Sequence, residues 1–455
     1  MAPGRDSTLN KPIISGSGIR GIFGRSLTVQ DACSFAAAFG ELVGPGRVIV
    51  GRDTRKSGPA VEAAVCAGLM GTGCTPVLIG VAPTPTVQLE VTGNNARGGI
   101  AVTSSHNPGQ WNALKLIDSD GVFLRTDRRK KLMELLKEPR KWVNYRSAPV
   151  AEHIDGAVER HAELVAGLPM VTREGRKLKA VLDVTGATGG LLGPAMMDAL
   201  GVEWVIINGE MTPDGDFPRE AEPRTESLSM LGEEVRKRNA DIGFGFDPDG
   251  DRLVLVDEKG RVIGEEFTIA LAIDHVLSLK KGHVVVNLST SSLSQNAAER
   301  HDCSLFRSPV GEVNVVEEMD AQGADIGGEG NGGVIHRDCH MGRDSAVGMA
   351  YIISWLRNHP EQTLSAWADS FPEYITMKTK VEFSGDFSVL EAGLTEAMGM
   401  PDDNRDGLWW KREGGWVHIR PSGTEPVVRF ISENTSQHVL DTDYAVFRKV
   451  LACVE

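Results

Sequence analysis

Residues 178–208 read LKAVLDVTGATGGLLGPAMMDALGVEWVIIN. LKAVLDV and VEWVIIN are short apolar runs of the kind that form buried strands, and GGLLGPAMMDALG between them carries a helix signal. A strand–helix–strand unit of this kind builds a parallel sheet with helices on its faces. The helix LSMLGEEVRKRN and the strand ADIGFGF continue the pattern. Upstream, Thr28 and Asp31 stand at capping-box spacing before VQDACSFAAAFGELV. The runs RVIVG, TPVLIG and GGIAV then alternate with further helix signals, one of them opening at Pro59. Downstream of LVLVDEKGRVIG, the segments FTIALAIDHVLSL, HVVVNLS, SSLSQNAAERH, VNVVEEM and ADIGGEG make a third round. Three αβ blocks of about 100 residues each are more economical as three small domains than as one giant sheet. From residue 374 the pattern changes to MKTKVEF, a helix, LWWKREGGWVHIR, VVRFIS and a last helix, which predicts an antiparallel α+β domain covered on one side. The expected fold class is α/β: three similar, mainly parallel, doubly wound domains at 1–150, 151–257 and 258–373, then an α+β domain at 374–455.

At 455 residues the chain is too long for one core, which agrees with several domains. It is 41% hydrophobic and 24% charged, the composition of an ordinary globular protein. No apolar run approaches the roughly 18 to 20 residues of a membrane helix, and MAPGRDSTLNKPIISG lacks the apolar stretch of a signal peptide. The six cysteines are scattered and form no CxxC pair, so reduced thiols and a cytoplasmic location are expected. A net charge of −14 without a basic run argues against nucleic acid as a partner. It also repels a small phosphorylated substrate at long range, so any phosphate must be met by local clusters of Arg, Lys and backbone N–H groups.

Four segments carry chemistry. In FGFDPDGDRLVLVD, Asp247, Asp249 and Asp251 alternate around a tight turn made by Pro248 and Gly250. Three converging carboxylates repel one another, and a hard divalent cation resolves this; oxygen-only ligands suit Mg²⁺. A calcium EF-hand is the rival, with Glu258 at its twelfth position, but Arg252 stands where its sixth-position Gly is required and a strand-like run follows. A solvated acidic turn is the plain structural alternative. In TSSHNPGQWNALK (103–115), after GGIAV, Ser104 and Ser105 are candidate nucleophiles beside His106. A Ser–His–Asp triad is not expected, because adjacent residues do not face each other as nucleophile and base. RPSGTEPVVR (420–429) supplies Arg420, Ser422, Gly423, Thr424 and Arg429, a compact anion cradle. GGEGNGG (327–333) contains a GxGxxG, but with 52 Gly in the chain chance gives on the order of one such match. No immediate helix follows, so its glycines are read as letting backbone approach a ligand while Glu329 and Asn331 point at sugar hydroxyls.

TSSHNP, DPDGDR, GEGNGG and RPSGTEP, in that order, with SGIRG (17–21) and GRDTRKSG (51–58), resemble the α-D-phosphohexomutase superfamily across residues 15 to 430. That group includes phosphoglucomutase, phosphomannomutase and phosphoglucosamine mutase. The resemblance implies four domains around a central active-site cleft, each contributing one loop. It implies a phosphorylated Ser105, one Mg²⁺ held by Asp247, Asp249, Asp251 and a phosphoserine oxygen, and Lys115, Arg20, His106 and Arg252 around the transferring phosphoryl group. Glu329 and Asn331 would bind sugar hydroxyls, and the 420–429 loop the phosphate that is not reacting. The implied reaction is reversible 1-phosphate/6-phosphate interconversion of a hexose through a 1,6-bisphosphate that turns over in the site, with domain four swinging to permit the turn. Bacterial phosphomannomutases of the superfamily usually carry Ser and His where Asn331 and Gly333 stand, and some members place a His in the segment occupied by Val310–Val316. ISGSGIRG, HNPGQWNALKL and GGEGNGGVI are most similar to phosphoglucosamine mutases, which makes glucosamine 6-phosphate the expected substrate, of a monomer or homodimer. A phosphomannomutase/phosphoglucomutase is the nearest alternative. A phosphatase or a non-catalytic sugar-phosphate sensor is more distant, since the serine and all three aspartates are intact.

Overall fold

The computed structural model describes residues 11–16, 18–422 and 426–454. Four sheets follow one another along the chain. The first contains β1 (Ile13–Ser15), β2 (Gly18–Ile22), β3 (Gly46–Arg52), β4 (Cys74–Val81), β5 (Gly98–Val102), β6 (Trp111–Asp118) and β7 (Glu152–His153), in the order β1-β2-β6-β5-β3-β4-β7. The second contains β8 (Lys179–Asp183), β9 (Glu203–Ile207), β10 (Ile242–Phe246), β11 (Leu253–Asp257) and β12 (Val262–Gly264), in the order β12-β11-β10-β8-β9. The third runs β14-β13-β15-β16, from β13 (Val284–Asn287), β14 (Leu305–Ser308), β15 (Ile326–Glu329) and β16 (Gly333–His336). The last runs β17-β20-β19-β18, from β17 (Ile375–Glu382), β18 (Leu408–Arg412), β19 (Gly415–Pro421) and β20 (Val427–Asn434), all antiparallel.

The stretch 178–208 forms β8, the helix Gly189–Leu200 and β9, with the two strands parallel and Leu182 opposite Ile206. Val181, Leu182, Phe244 and Phe246 have no exposed surface, as expected of strands covered by helices on both faces. The capping box also forms: Asp31 N donates to Thr28 Oγ1 at 3.1 Å and Thr28 N to Asp31 Oδ2 at 2.8 Å.

Two expectations need adjusting. The first sheet is parallel only across β5-β3-β4-β7; β1, β2 and β6 add an antiparallel half, because the expected loop 103–115 becomes a strand from Trp111 onward. Strand pairing also crosses the expected boundaries, since β7 completes the first sheet beyond 150 and β12 hairpins back onto β11 beyond 257.

The three α/β sheets share one device that places the chemistry. In each, a strand belonging to the parallel part (β5, β10, β15) turns back into an antiparallel neighbour (β6, β11, β16). The turns carry residues 103–110, 247–252 and 330–332, at the carboxyl ends of the parallel strands where open α/β sheets bind ligands. The apolar core is continuous through these three sheets, including Ile79, Leu182, Phe246, Ile269 and Tyr351, whereas the last domain packs its own core of Phe383, Trp410, Phe430 and Phe447.

Candidate active site

Ser105 begins the site with an uncommon backbone. Its φ of 48° lies in the left-handed region, which costs a non-glycine residue about 1–3 kcal/mol unless its surroundings enforce it. Asp53 accepts from Thr103 Oγ1 at 2.7 Å, and Thr103 Oγ1 accepts from Ser105 N at 3.1 Å. The fully buried Arg55 does more. Its Nε donates to Asp53 at 2.8 Å, Nη1 to the carbonyls of Pro108 and Trp111 at 2.6 and 3.0 Å, and Nη2 to those of Ser105 and Asn107 at 2.6 and 2.7 Å. All five donors of one guanidinium are committed to shaping this loop. Ser105 Oγ consequently donates to Asp247 Oδ2 at 2.9 Å, while Ser104 Oγ turns away to Asn107 at 3.1 Å. Contrary to expectation, Ser105 and His106 do face each other, with Oγ and Nδ1 3.4 Å apart, because the left-handed turn swings both side chains to one side. No triad results, for among the described residues no carboxylate hydrogen-bonds the ring's other nitrogen. Burial, with Arg252, Arg20 and Lys115 nearby, pushes the His106 imidazole down to about 2, so it is neutral.

Asp247, Asp249 and Asp251 are wholly buried, and their carboxylate oxygens gather within 4.8 Å. Gly250 at φ 67° makes the turn. Three domains hold the loop: Thr84 N donates to the Asp249 carbonyl at 2.9 Å, Thr188 Oγ1 of the loop's own domain to that of Pro248 at 2.9 Å, and Ser345 Oγ to that of Gly250 at 2.7 Å. Lys115, standing on β6 rather than in the loop, donates to Asp249 Oδ2 at 2.5 Å and Asp251 Oδ2 at 3.1 Å. Burial alone would lower its ammonium, but the two carboxylates hold it above the usual lysine range. Burial and its two neighbours push the Asp247 carboxyl well up, whereas Arg343, Lys115 and Arg252 outweigh burial and hold Asp251 below the usual range. The remaining oxygens, Asp249 Oδ1 and Asp251 Oδ1, are buried without a hydrogen-bond partner. Buried oxygens are rarely left so, and two of them beside Asp247 Oδ2 and Ser105 Oγ fit a bound cation. Glu258 is not part of this group, since it accepts from Ser365 N at 3.1 Å.

Arg252, next to this cluster in the chain, also lines a cleft of about 540 Å³ with Glu329, Asn331, Lys378, Arg420 and Arg429 among others. Glu329 accepts from Asn287 Nδ2 at 2.8 Å and Gly311 N at 3.0 Å and pairs with Arg343 at 2.9 Å. Arg343 is buried and also reaches Glu312 at 2.9 Å and Asp251 at 2.8 Å, so one guanidinium joins the acidic cluster to the sugar-loop carboxylate. Those three carboxylates, against burial, raise it well above its ordinary value. Arg252 pairs with Glu222 at 2.8 Å, and Arg20 donates to Asn107 at 3.5 Å and Ser15 at 3.4 Å. Burial and Arg252 lower the Arg20 guanidinium. Arg420 and Arg429 lie on strands, not in a loop, directly opposite each other on β19 and β20, with Lys380 next in the row on β17. Like charges so placed repel, and Asp406 offsets Arg420 at 3.0 Å. Ser422 closes the hairpin by donating its N–H to Val427 O at 2.9 Å, while Gly423 and Thr424 lie outside the described residues.

Residues 12–141, 159–260 and 265–374 match the alpha/beta/alpha domains I, II and III of Phosphoglucomutase/phosphomannomutase, and 392–445 match its C-terminal domain. The chain belongs to this phosphohexomutase family. It is 35% identical to a phosphoglucomutase/phosphomannomutase of Thermococcus kodakarensis, over 92% of this chain and 94% of the relative. It is 34% identical to a probable phosphoglucosamine mutase of Methanopyrus kandleri, over 92% and 93%. Among solved structures, a phosphoglucomutase/phosphomannomutase family protein of Burkholderia thailandensis superposes with a TM-score of 0.84 at 26% identity, covering 98% of this chain and 97% of that one. Aspergillus fumigatus N-acetylphosphoglucosamine mutase, in complex with GlcNAc-6P and magnesium, shares the fold at a TM-score of 0.64 and 14% identity, over 99% and 97% of the chains.

The protein is therefore a phosphohexomutase, an isomerase, with an acidic triad that can hold a metal ion. Among the described residues, no helix is long and apolar enough to cross a membrane. Sequence reading of this phosphohexomutase missed Arg55, Asn287 and Arg343. Arg55 sits inside the GRDTRKSG signature, so its segment was visible although its role was not. Arg343, in HMGRDS, has no local signal.

Proposed function

We propose that this phosphohexomutase interconverts glucosamine 6-phosphate and glucosamine 1-phosphate through phospho-Ser105 and a glucosamine 1,6-bisphosphate, with Mg²⁺ on Asp247, Asp249 and Asp251. The observation that carries the reading is Ser105 Oγ, 2.9 Å from Asp247 in a cluster with two unpartnered buried carboxylate oxygens, together with a cleft lined by Arg252 of the same acidic segment and by Arg420 and Arg429. A divalent cation there supplies charge neutralisation to the phosphoserine. Lys115, Arg20 and Arg252 add positive charge around the phosphoryl oxygens, and the arginine row grips the phosphate that does not react. A guanidinium pair recognises phosphate whichever carbon bears it, so the sugar can bind in both orientations. The largely polar join of the last domain to the third, which includes His418 to Ser289 at 2.9 Å and Ser292 N to Glu433 at 2.7 Å, supports a domain swing during that turn.

The choice of glucosamine follows relatives named probable phosphoglucosamine mutase, and the Thermococcus kodakarensis relative supports glucose or mannose phosphates as the second reading. Incubation with glucosamine, glucose and mannose phosphates, each with a trace of its bisphosphate, should give the highest kcat/KM for glucosamine 6-phosphate. A higher value for either neutral sugar would reverse the order, and release of free phosphate without isomerisation would make the protein a phosphatase.

Two further outcomes are expected. Excess EDTA should abolish turnover and Mg²⁺ restore it, and Asp249→Asn should lower kcat at least about 100-fold, as loss of an electrostatic catalyst does. Full activity in EDTA would refute the metal reading. Arg420→Ala should raise KM for every hexose phosphate alike, by the loss of a charge-assisted bond worth about 1.5–3 kcal/mol. Glu329→Gln should mainly lower kcat, and unequally for sugars that differ at C4, because it disturbs the orientation of the ring. The reverse pattern in steady-state kinetics would exchange the two roles.

A further inference from the structure

A second group of metal-ligating side chains lies apart from the acidic triad, in the turn between β16 and the helix Ser345–Asn358. Cys339 Sγ, a His340 ring nitrogen and an Asp344 oxygen lie within 4.8 Å of one another. Three protic groups converge on the single oxygen Asp344 Oδ2: His340 Nε2 at 3.1 Å, Cys339 Sγ at 3.9 Å and His161 Nε2 at 2.8 Å. His161 comes from the helix Ala157–Ala166, and its Nδ1 is met by Thr86 Oγ1 at 2.8 Å. Asp344 is fully buried and its other oxygen caps the following helix by accepting from Ala346 N at 2.8 Å. His340 keeps only 7% of its side chain exposed, and its Nδ1 has no hydrogen-bond partner.

We propose that Cys339, His340 and Asp344 form a second metal site, for a borderline-soft divalent cation such as Zn²⁺. Thiolate, imidazole and carboxylate together are the donor set of zinc, not of Mg²⁺. Arms of 2.0–2.3 Å set tetrahedral ligand separations of about 3.3–3.5 Å, close to the 3.1 and 3.9 Å that separate Asp344 Oδ2 from His340 and Cys339. On binding, the Cys339 thiol loses its proton to solvent and the His340 proton moves from Nε2 to Nδ1. Burial and Asp344 push the thiol well up when no cation is present, so cation and proton compete for the sulfur. His161, held by Thr86, orients the carboxylate from outside the ligand set. A cavity of about 540 Å³, with His161 and Cys339 in its wall, provides the entry path and a place for water at the fourth position. Thr86, His161 and Asp344 come from three different domains, so the hydrogen bonds that orient the carboxylate span all three.

Cobalt(II) is the probe. The stripped full-length protein, in excess Mg²⁺ to occupy the oxygen-only triad, is titrated with Co²⁺ and followed by thiolate-to-cobalt charge-transfer absorption. The expected result is a band saturating at one equivalent and displaced by Zn²⁺. Cys339→Ser should remove the band, His340→Gln should weaken binding on the order of 100-fold or more, and Cys303→Ser should leave it unchanged, all with mutase activity retained. The absence of a band in the wild-type protein, or its persistence in Cys339→Ser, would overturn the proposal.

Discussion

Ser105→Ala should abolish mutase turnover, by about 10⁴-fold or more, the order of loss when an activated nucleophile is deleted. The protein should remain folded, since Ala tolerates the φ of 48° no worse than Ser and the Arg55 bonds go to main-chain carbonyls. Intact mass of the wild-type protein should show a partly occupied single phosphate, mapping to Ser105 and missing from the variant. Ser104→Ala should keep most of the activity, because that hydroxyl bonds Asn107 and not the acidic cluster. A phosphate on Ser104 in active enzyme, or turnover by Ser105→Ala near that of the wild type, would transfer the chemistry elsewhere.

Arg343→Ala is the second large effect. The substitution leaves Asp251, Glu329 and Glu312, each almost wholly buried, without the guanidinium they share. Removing one partner of a buried ion pair costs about 3–5 kcal/mol, because the remaining charge is stranded away from water. The apparent Tm should fall clearly, and kcat should fall with it, because Asp251 and Glu329 are no longer held in one arrangement. Arg343→Lys should recover part of the loss, since one ammonium cannot meet three carboxylates as the guanidinium fork does. Adding Glu312→Gln to Arg343→Ala should recover stability by a different route, as it removes one stranded charge while Glu312 lies outside the proposed catalytic set. Calorimetry that finds the double variant no more stable than Arg343→Ala would show that charge at this junction is not what Arg343 offsets.

The two variants mark different depths of legibility. The signals for the acidic and serine segments are local, alternate carboxylates about a Pro–Gly turn and two serines beside a His after a buried apolar run, whereas the choice of Ser105 over Ser104 rested on the family resemblance. The strand–helix–strand rhythm was readable for the same reason, since burial on both faces demands short apolar runs wherever they occur. The capping box at Thr28 is likewise settled within four residues. The loop 103–115 was read less well. Its second half pairs with β2 and β5, so its state depends on partners that no window of sequence contains. Arg420 and Arg429 were expected in one loop, and hairpin register instead sets them face to face across two strands.

What the sequence determined by itself was therefore the α/β class, the order of the chemical segments and the identity of the residues in them. Tertiary structure alone decided which distant side chains answer which buried acceptors. Arg55 reaches the Ser105 carbonyl across 50 residues, Arg343 reaches Asp251 across 92, and His161 reaches Asp344 across 183. A carboxylate taken out of water must be paired or protonated, and its partner is whichever charge the packing of other domains brings within about 3 Å. That choice is made by distance in space, to which spacing along the chain gives no guide.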